Sequence, residues 1–151
     1  MILESMKEEL SAWIDGDEID IHSWISAVGN FNLAVGYSSV FWPSFQEINE
    51  YIVSKHADAE SIKAWEAVEG ITPGQIERVV NHLHIADLHQ SQCEDIALDK
   101  IIYLGEKLKE IYSVKLAWEF PNKPCIVEFY HSENENNLIG YELTYWQAKH
   151  D

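Results

Sequence analysis

At Ser113 the hydrophobic repeat of the chain changes. Before it, Ala97, Ile101, Leu104, Leu108 and Ile111 recur at three- and four-residue steps, so a helix over about 94–112 would bury one continuous stripe. After it, Val114, Leu116, Trp118 and Phe120 alternate with Lys115, Ala117 and Glu119, the two-residue period of a strand. Helical patterning that gives way to strand patterning points to an α+β fold.

The remaining elements follow from local signals. Residues 3–14 read as an amphipathic helix, with Leu3, Met6, Leu10, Trp13 and Ile14 on one stripe. Residues 21–42 read as a short helix around Trp24, Ile25 and Val28, then irregular or extended chain. Ser44 and Glu47 have capping-box spacing, which predicts a helix over about 44–55. Asp58 can cap a helix that Gly70 stops. Thr72-Pro73-Gly74-Gln75 joins an N-cap, a proline at the first helical position and a capping glutamine. The helix it opens carries Ile76, Val79, Val80, Leu83 and Ala86 inward and ends before Ser91.

Pro121-Asn122-Lys123-Pro124 is a turn, Cys125 to Tyr130 a second strand and Leu138 to Trp146 a third. Short connections predict an antiparallel meander. The expected architecture is therefore five or so helices followed by a C-terminal three-stranded antiparallel β-meander. Residues 1–151 form one domain, since no repeat or linker interrupts them.

Charge restricts the partners. Asp and Glu number 26 against 10 Lys and Arg, a formal net charge of -16. Nucleic-acid binding needs clustered cations to neutralise phosphates, and this surface would repel them. An anionic membrane surface is disfavoured for the same reason. A basic protein partner is permitted, and long-range attraction would steer it in. The amino-terminal residues lack the basic-then-apolar pattern of a secretory signal, and no apolar run approaches bilayer length. The expected compartment is the cytoplasm. Cys93 and Cys125, the two cysteines, resemble neither a disulfide framework nor a zinc motif.

The segment Asn81-His82-Leu83-His84-Ile85-Ala86-Asp87-Leu88-His89 holds three of the seven histidines. Imidazole and carboxylate suit zinc, so His82, His84 and His89 are candidate metal ligands. On a helix, however, His82 and His84 would point to nearly opposite sides. Only an extended backbone would bring them to one face. Asn81, His84 and Asp87 lie three apart, and a His84–Asp87 pair could orient an imidazole as a general base requires. No nucleophile motif accompanies them, so a hydrogen-bonded structural network is the commoner outcome. Asp15-Gly16-Asp17-Glu18-Ile19-Asp20 fails the calcium-loop pattern and reads as a solvated loop. No phosphate-binding glycine motif is present.

Phe41-Trp42-Pro43-Ser44-Phe45 and Val79-Val80-Asn81-His82-Leu83-His84-Ile85-Ala86-Asp87-Leu88 together resemble a family of small bacterial proteins without an assigned activity. The resemblance spans residues 24–146 and transfers no catalytic role. It implies a bacterial, cytoplasmic protein in which Asn81, His82, His84 and Asp87 matter beyond packing.

Three functions stay open. The first is a non-enzymatic acidic module that captures a basic protein, as immunity proteins do with toxins, an analogy of physics rather than sequence. The second is a metal-assisted hydrolase using His82, His84 and Asp87, with His89 as a further zinc ligand. The third is a homodimer through the C-terminal sheet, one of whose aromatic faces would be left for a twin subunit.

Overall fold

Thr72 caps its helix as the spacing predicts. Its side chain accepts from the Gln75 amide, and the Gln75 side chain accepts from the Thr72 amide, closing the box. The computed structural model describes residues 2–13, 18–89 and 93–151. Most of the acidic loop Asp15–Glu18, Ile14 of the first stripe and Ser91 lie outside those residues.

Six α-helices are described: α1 (Lys7–Ser11), α2 (Ile21–Val28), α3 (Phe31–Phe41), α4 (Ala59–Glu66), α5 (Pro73–Val80) and α6 (Leu98–Glu119). Five strands accompany them: β1 (Phe45–Ile48), β2 (Tyr51–Ser54), β3 (Leu83–His84), β4 (Cys125–Tyr130) and β5 (Glu142–Gln147). The fold is α+β, with two small antiparallel sheets in place of a C-terminal meander. One sheet is the β1–β2 hairpin; the other has the order β3-β5-β4. None of the described helices is long and apolar enough to cross a membrane.

Four expectations fail, each for a local reason. The segment 114–120 is the end of α6, not a strand. Its alternation and a helical stripe share Leu116, and the stripe Ile101, Leu108, Tyr112, Leu116 continues inward one turn further. Val114 and Trp118, one turn apart, face solvent, and Lys115 pairs with Glu119 at 2.9 Å along the helix. The segment 44–55 is a hairpin, not a helix. Asn49 and Glu50 both have positive φ, 50° and 70°, the two-residue turn that matches strand twist. Tyr51, Ile52 and Val53 then pair as a strand, which suits β-branched and aromatic side chains.

The other two corrections concern 21–42 and 81–89. Residues 31–41 are helical rather than extended, because the Asn30 side chain caps the Leu33 amide. Helix α5 stops at Val80, far short of Ser91. The Asn81 amide turns inward to two carbonyls, and Leu83 and His84 pair with Leu143 and Glu142.

The central strand of the β3-β5-β4 sheet, β5, is covered on both sides. Leu143 and Tyr145 meet Leu108, Tyr112 and Leu116 of α6 on one side. Each fully buried leucine there contributes roughly 1.5–3 kcal/mol relative to exposure. On the other side, Thr144 donates to the Arg78 carbonyl and the Arg78 guanidinium lies 3.8 Å from the Trp146 ring centre. Leu143 to Gln147 of β5 are all buried, so neither aromatic face of this strand is open to solvent. A second core joins Tyr51, Val53, Ile62 and Ile76.

Helices α2 and α3 differ from the rest: neither buries a residue. On α3, Tyr37, Val40 and Phe41 turn towards the body, while Phe31, 90% exposed, and Val35 stand on the opposite side.

Candidate functional site

The histidine-rich segment does not form one helix face. The Nδ1–H of His82 donates to the Val79 carbonyl, and that of His84 donates to the Ile139 carbonyl at 2.7 Å. A carbonyl can only accept, so both rings carry a proton on Nδ1, and the neutral tautomer leaves Nε2 as the acceptor. The extended backbone at Leu83–His84 does what a helix could not: the two rings meet edge to face, 5.1 Å between centres. The carboxylate beside His84 belongs to Glu142, 3.6 Å away and its cross-strand partner, not to Asp87. Asp87 sits exposed on the 3-10 turn Ile85–Leu88. His89 pairs through Nε2 with the Tyr37 hydroxyl instead of joining His82. Among the described residues, no three His, Cys, Asp or Glu side chains gather closely enough to hold a metal ion. Among the described residues, the imidazole pair has no third side-chain ligand of the kind zinc centres use beside it.

Asn81 and His82 line a cleft of about 390 Å³ whose other walls come from distant parts of the chain. Ser39 and Val40 of α3, Pro43 to Phe45, Ser54 and His56 form one side. Tyr112 of α6 and Tyr145 of β5 form the other. Phe45, Tyr112 and Tyr145 stack edge to face, with ring centres 5.2–6.1 Å apart. Among the described residues, two buried polar atoms at this cleft have no partner: Oδ1 of Asn81 and the hydroxyl of Tyr145. Leaving such an atom unpaired costs about 1–3 kcal/mol. Burial holds the Tyr145 hydroxyl protonated well above tyrosine's ordinary range, and raises Tyr112 to about 12. Both are uncharged at any physiological pH.

A larger cleft, about 1000 Å³, opens between the amino-terminal turn, α2 and the start of α6. Met6, Ile25, Ile96, Tyr103 and Leu104 give it apolar walls. Ile25 and Tyr103 are 52% and 43% exposed, so these walls face outward. Glu8, Glu9, Glu94 and Asp95 stand among them. Lys100 is the one cation lining the cleft among the described residues, and Asp95 already occupies it, through its carbonyl at 2.7 Å and its carboxylate at 3.6 Å. The Cys93 thiol donates to the same carboxylate at 2.9 Å, which lowers the Asp95 carboxyl and raises the thiol.

Known families, curated proteins and solved structures offer no match to this chain. What the site can do follows from its own geometry.

Three parts of this arrangement were missed by sequence reasoning. Glu77 lies on α5 beside the core residue Ile76 and is fully buried, with His150 against it. An inward charge on an amphipathic face was its only signal. The acidic cleft assembles residues from 3 to 104, and the uncharged cleft residues from 39 to 145, so neither left a local motif.

Proposed function

We propose that the protein is a non-enzymatic binding module that captures a basic, amphipathic segment of a partner protein in the cleft between the amino-terminal turn, α2 and α6. One observation carries the reading: an outward-facing apolar cleft whose charged neighbours, among the described residues, are four carboxylates and one already paired lysine. An amphipathic helix would lay its apolar face on Ile25, Ile96 and Tyr103 and its cations beside Glu8, Glu9, Glu94 and Asp95. The chain's net charge of -16 would speed that encounter and repel acidic competitors. A second copy of the chain is a poorer occupant, because it would bring its own carboxylates to the same rim.

The metal-assisted hydrolase is the weaker reading. The meeting of His82 and His84 favours it, but Asp87 and His89 are engaged elsewhere or turned outward.

Titration calorimetry with a synthetic amphipathic Leu/Lys helix tests the binding reading. Saturable binding that weakens with salt is expected, with loss in Ile25→Asn and Tyr103→Ser. Both positions are exposed, so the fold should survive either change. Equal binding of a Leu/Glu helix, or binding indifferent to both substitutions, would overturn it.

A further inference from the structure

The smaller cleft poses a question that capture of a basic protein does not answer. In a chain with 26 acidic residues, none of the side chains described along this cleft is Asp, Glu, Lys or Arg. Its polar groups are serine hydroxyls, two imidazoles, one amide and two phenols. A charged ligand would find no countercharge here and would have to give up its hydration.

The orientation of Asn81 is fixed. Its Nδ2 donates to the Ile52 carbonyl at 2.9 Å and to the Tyr145 carbonyl at 3.1 Å. The flipped amide would set Oδ1 against two carbonyl oxygens, so Oδ1 is the atom left over. It can only accept. The Tyr145 hydroxyl, also unpartnered, remains a neutral donor because burial keeps its proton on. Each residue is more than nine-tenths buried, and the cleft reaches both. Shielded atoms of this kind form stronger hydrogen bonds than exposed ones. Contact with them takes a small shift of side chains, of the sort common on binding.

We infer that this cleft is a binding site for a small, planar, uncharged molecule with an N–H beside a C=O, the cis-amide edge of a lactam or a nucleobase. Its N–H donates to Asn81 Oδ1, its carbonyl accepts from the Tyr145 hydroxyl, and the rings of Phe45 and Tyr112 take its flat face. The volume, about 390 Å³, lies near the lower end for small-molecule sites and suits one ring rather than a nucleotide. The site is separate from the acidic cleft and stands whether or not that cleft binds a basic segment.

Nuclear magnetic resonance titration of the full chain tests this. The probes are uracil and 2-pyrrolidinone, which separate a nucleobase source from a lactam source. Toluene, benzoate and benzylamine serve as apolar and charged controls. Saturable shifts at Phe45, Asn81 and Tyr145 are expected with at least one amide probe and none of the controls. Tyr145→Phe should weaken that binding at least tenfold while the free variant melts no lower than the parent, since the hydroxyl it loses has no partner. Benzoate or benzylamine binding as well as the amides would overturn the inference. So would amide binding unchanged in Tyr145→Phe, or an ordered water on both atoms that no probe displaces.

Discussion

Glu77 holds Gln147 twice: Oε2 accepts the Gln147 backbone N–H at 2.8 Å, and Oε1 accepts its side-chain amide at 2.7 Å. The same carboxylate also accepts the Ile52 amide at 2.9 Å and His150 Nδ1 at 2.8 Å. One fully buried side chain thus ties α5 to the hairpin, to β5 and to the turn beyond it. Four donors around a carboxylate replace the water it gave up on folding.

Replacing Glu77 by alanine takes the acceptor from three buried N–H groups and from the part-buried His150 ring. The expected loss is at least about 3 kcal/mol, larger than an ordinary surface change. Urea denaturation of Glu77→Ala against the parent measures it, and a loss under about 1 kcal/mol would contradict the bonding described.

Gly105 lies where α6 crosses β4. A Cβ at this position would run into the Phe129 ring. Gly105→Ala should therefore destabilise by about 1–3 kcal/mol despite alanine's better helix propensity. A raised melting temperature in this variant would show that the helix and the ring sit further apart.

The hairpin turn offers the opposite sign. Glu50 holds φ 70°, which is unfavourable for a residue with a Cβ, and its carbonyl alone is used, accepting from Gln147 Nε2 at 2.7 Å. Glu50→Gly keeps that carbonyl and creates the Asn-Gly pair favoured in such turns. A stabilisation of roughly 0.5–1 kcal/mol is expected by thermal or urea unfolding.

The two thiols should separate in their pH response. Burial raises Cys125 to about 12, so iodoacetamide at pH 8 should leave it unmodified until the chain unfolds. Cys93 is raised chiefly because its S–H donates to the Asp95 carboxylate, which favours the protonated form. Asp95→Asn removes that anionic acceptor, lowers the thiol pKa and should speed Cys93 labelling severalfold at pH 8. Mass spectrometry of the labelled chain reads both sites. Unchanged Cys93 labelling in Asp95→Asn would show that the carboxylate does not hold the proton.

Where the chain's bonding is local, the sequence was readable. Thr72 and Gln75 satisfy each other within one turn, and Asp58 caps the Ser61 amide at 2.7 Å; Gly70 has a positive φ of 82°, but the helix already ends at Glu66. Cys125 to Tyr130 is a strand with the bounds its pattern gives. Legibility failed where two periods fit the same residues. Leu116 belongs equally to an alternating strand and to the α6 stripe, and packing against β4 and β5 chose the stripe. Ser44 and Glu47 had the spacing of a helix cap, yet the turn at Asn49-Glu50 paired that segment with Tyr51 to Ser54 instead.

The arrangement of the candidate cluster was not legible in the sequence. Asn81 and His82 do line a cleft, and the meeting of His82 with His84 depended on β3, a two-residue strand with no sequence signature. Its pairing with Glu142 and Leu143 comes from nearly sixty residues away, beyond any local pattern.

The position of β5 in the sheet also sets an order of events during synthesis. It lies between β3 and β4, yet follows both in the chain. While a ribosome is still adding residues up to 141, β3 and β4 have no common neighbour and three of the four donors to Glu77 do not exist. The two cores therefore cannot lock together progressively from the amino terminus. The nascent chain must be kept from aggregating until Glu142–Gln147 arrives, and the sheet then closes in a single late step.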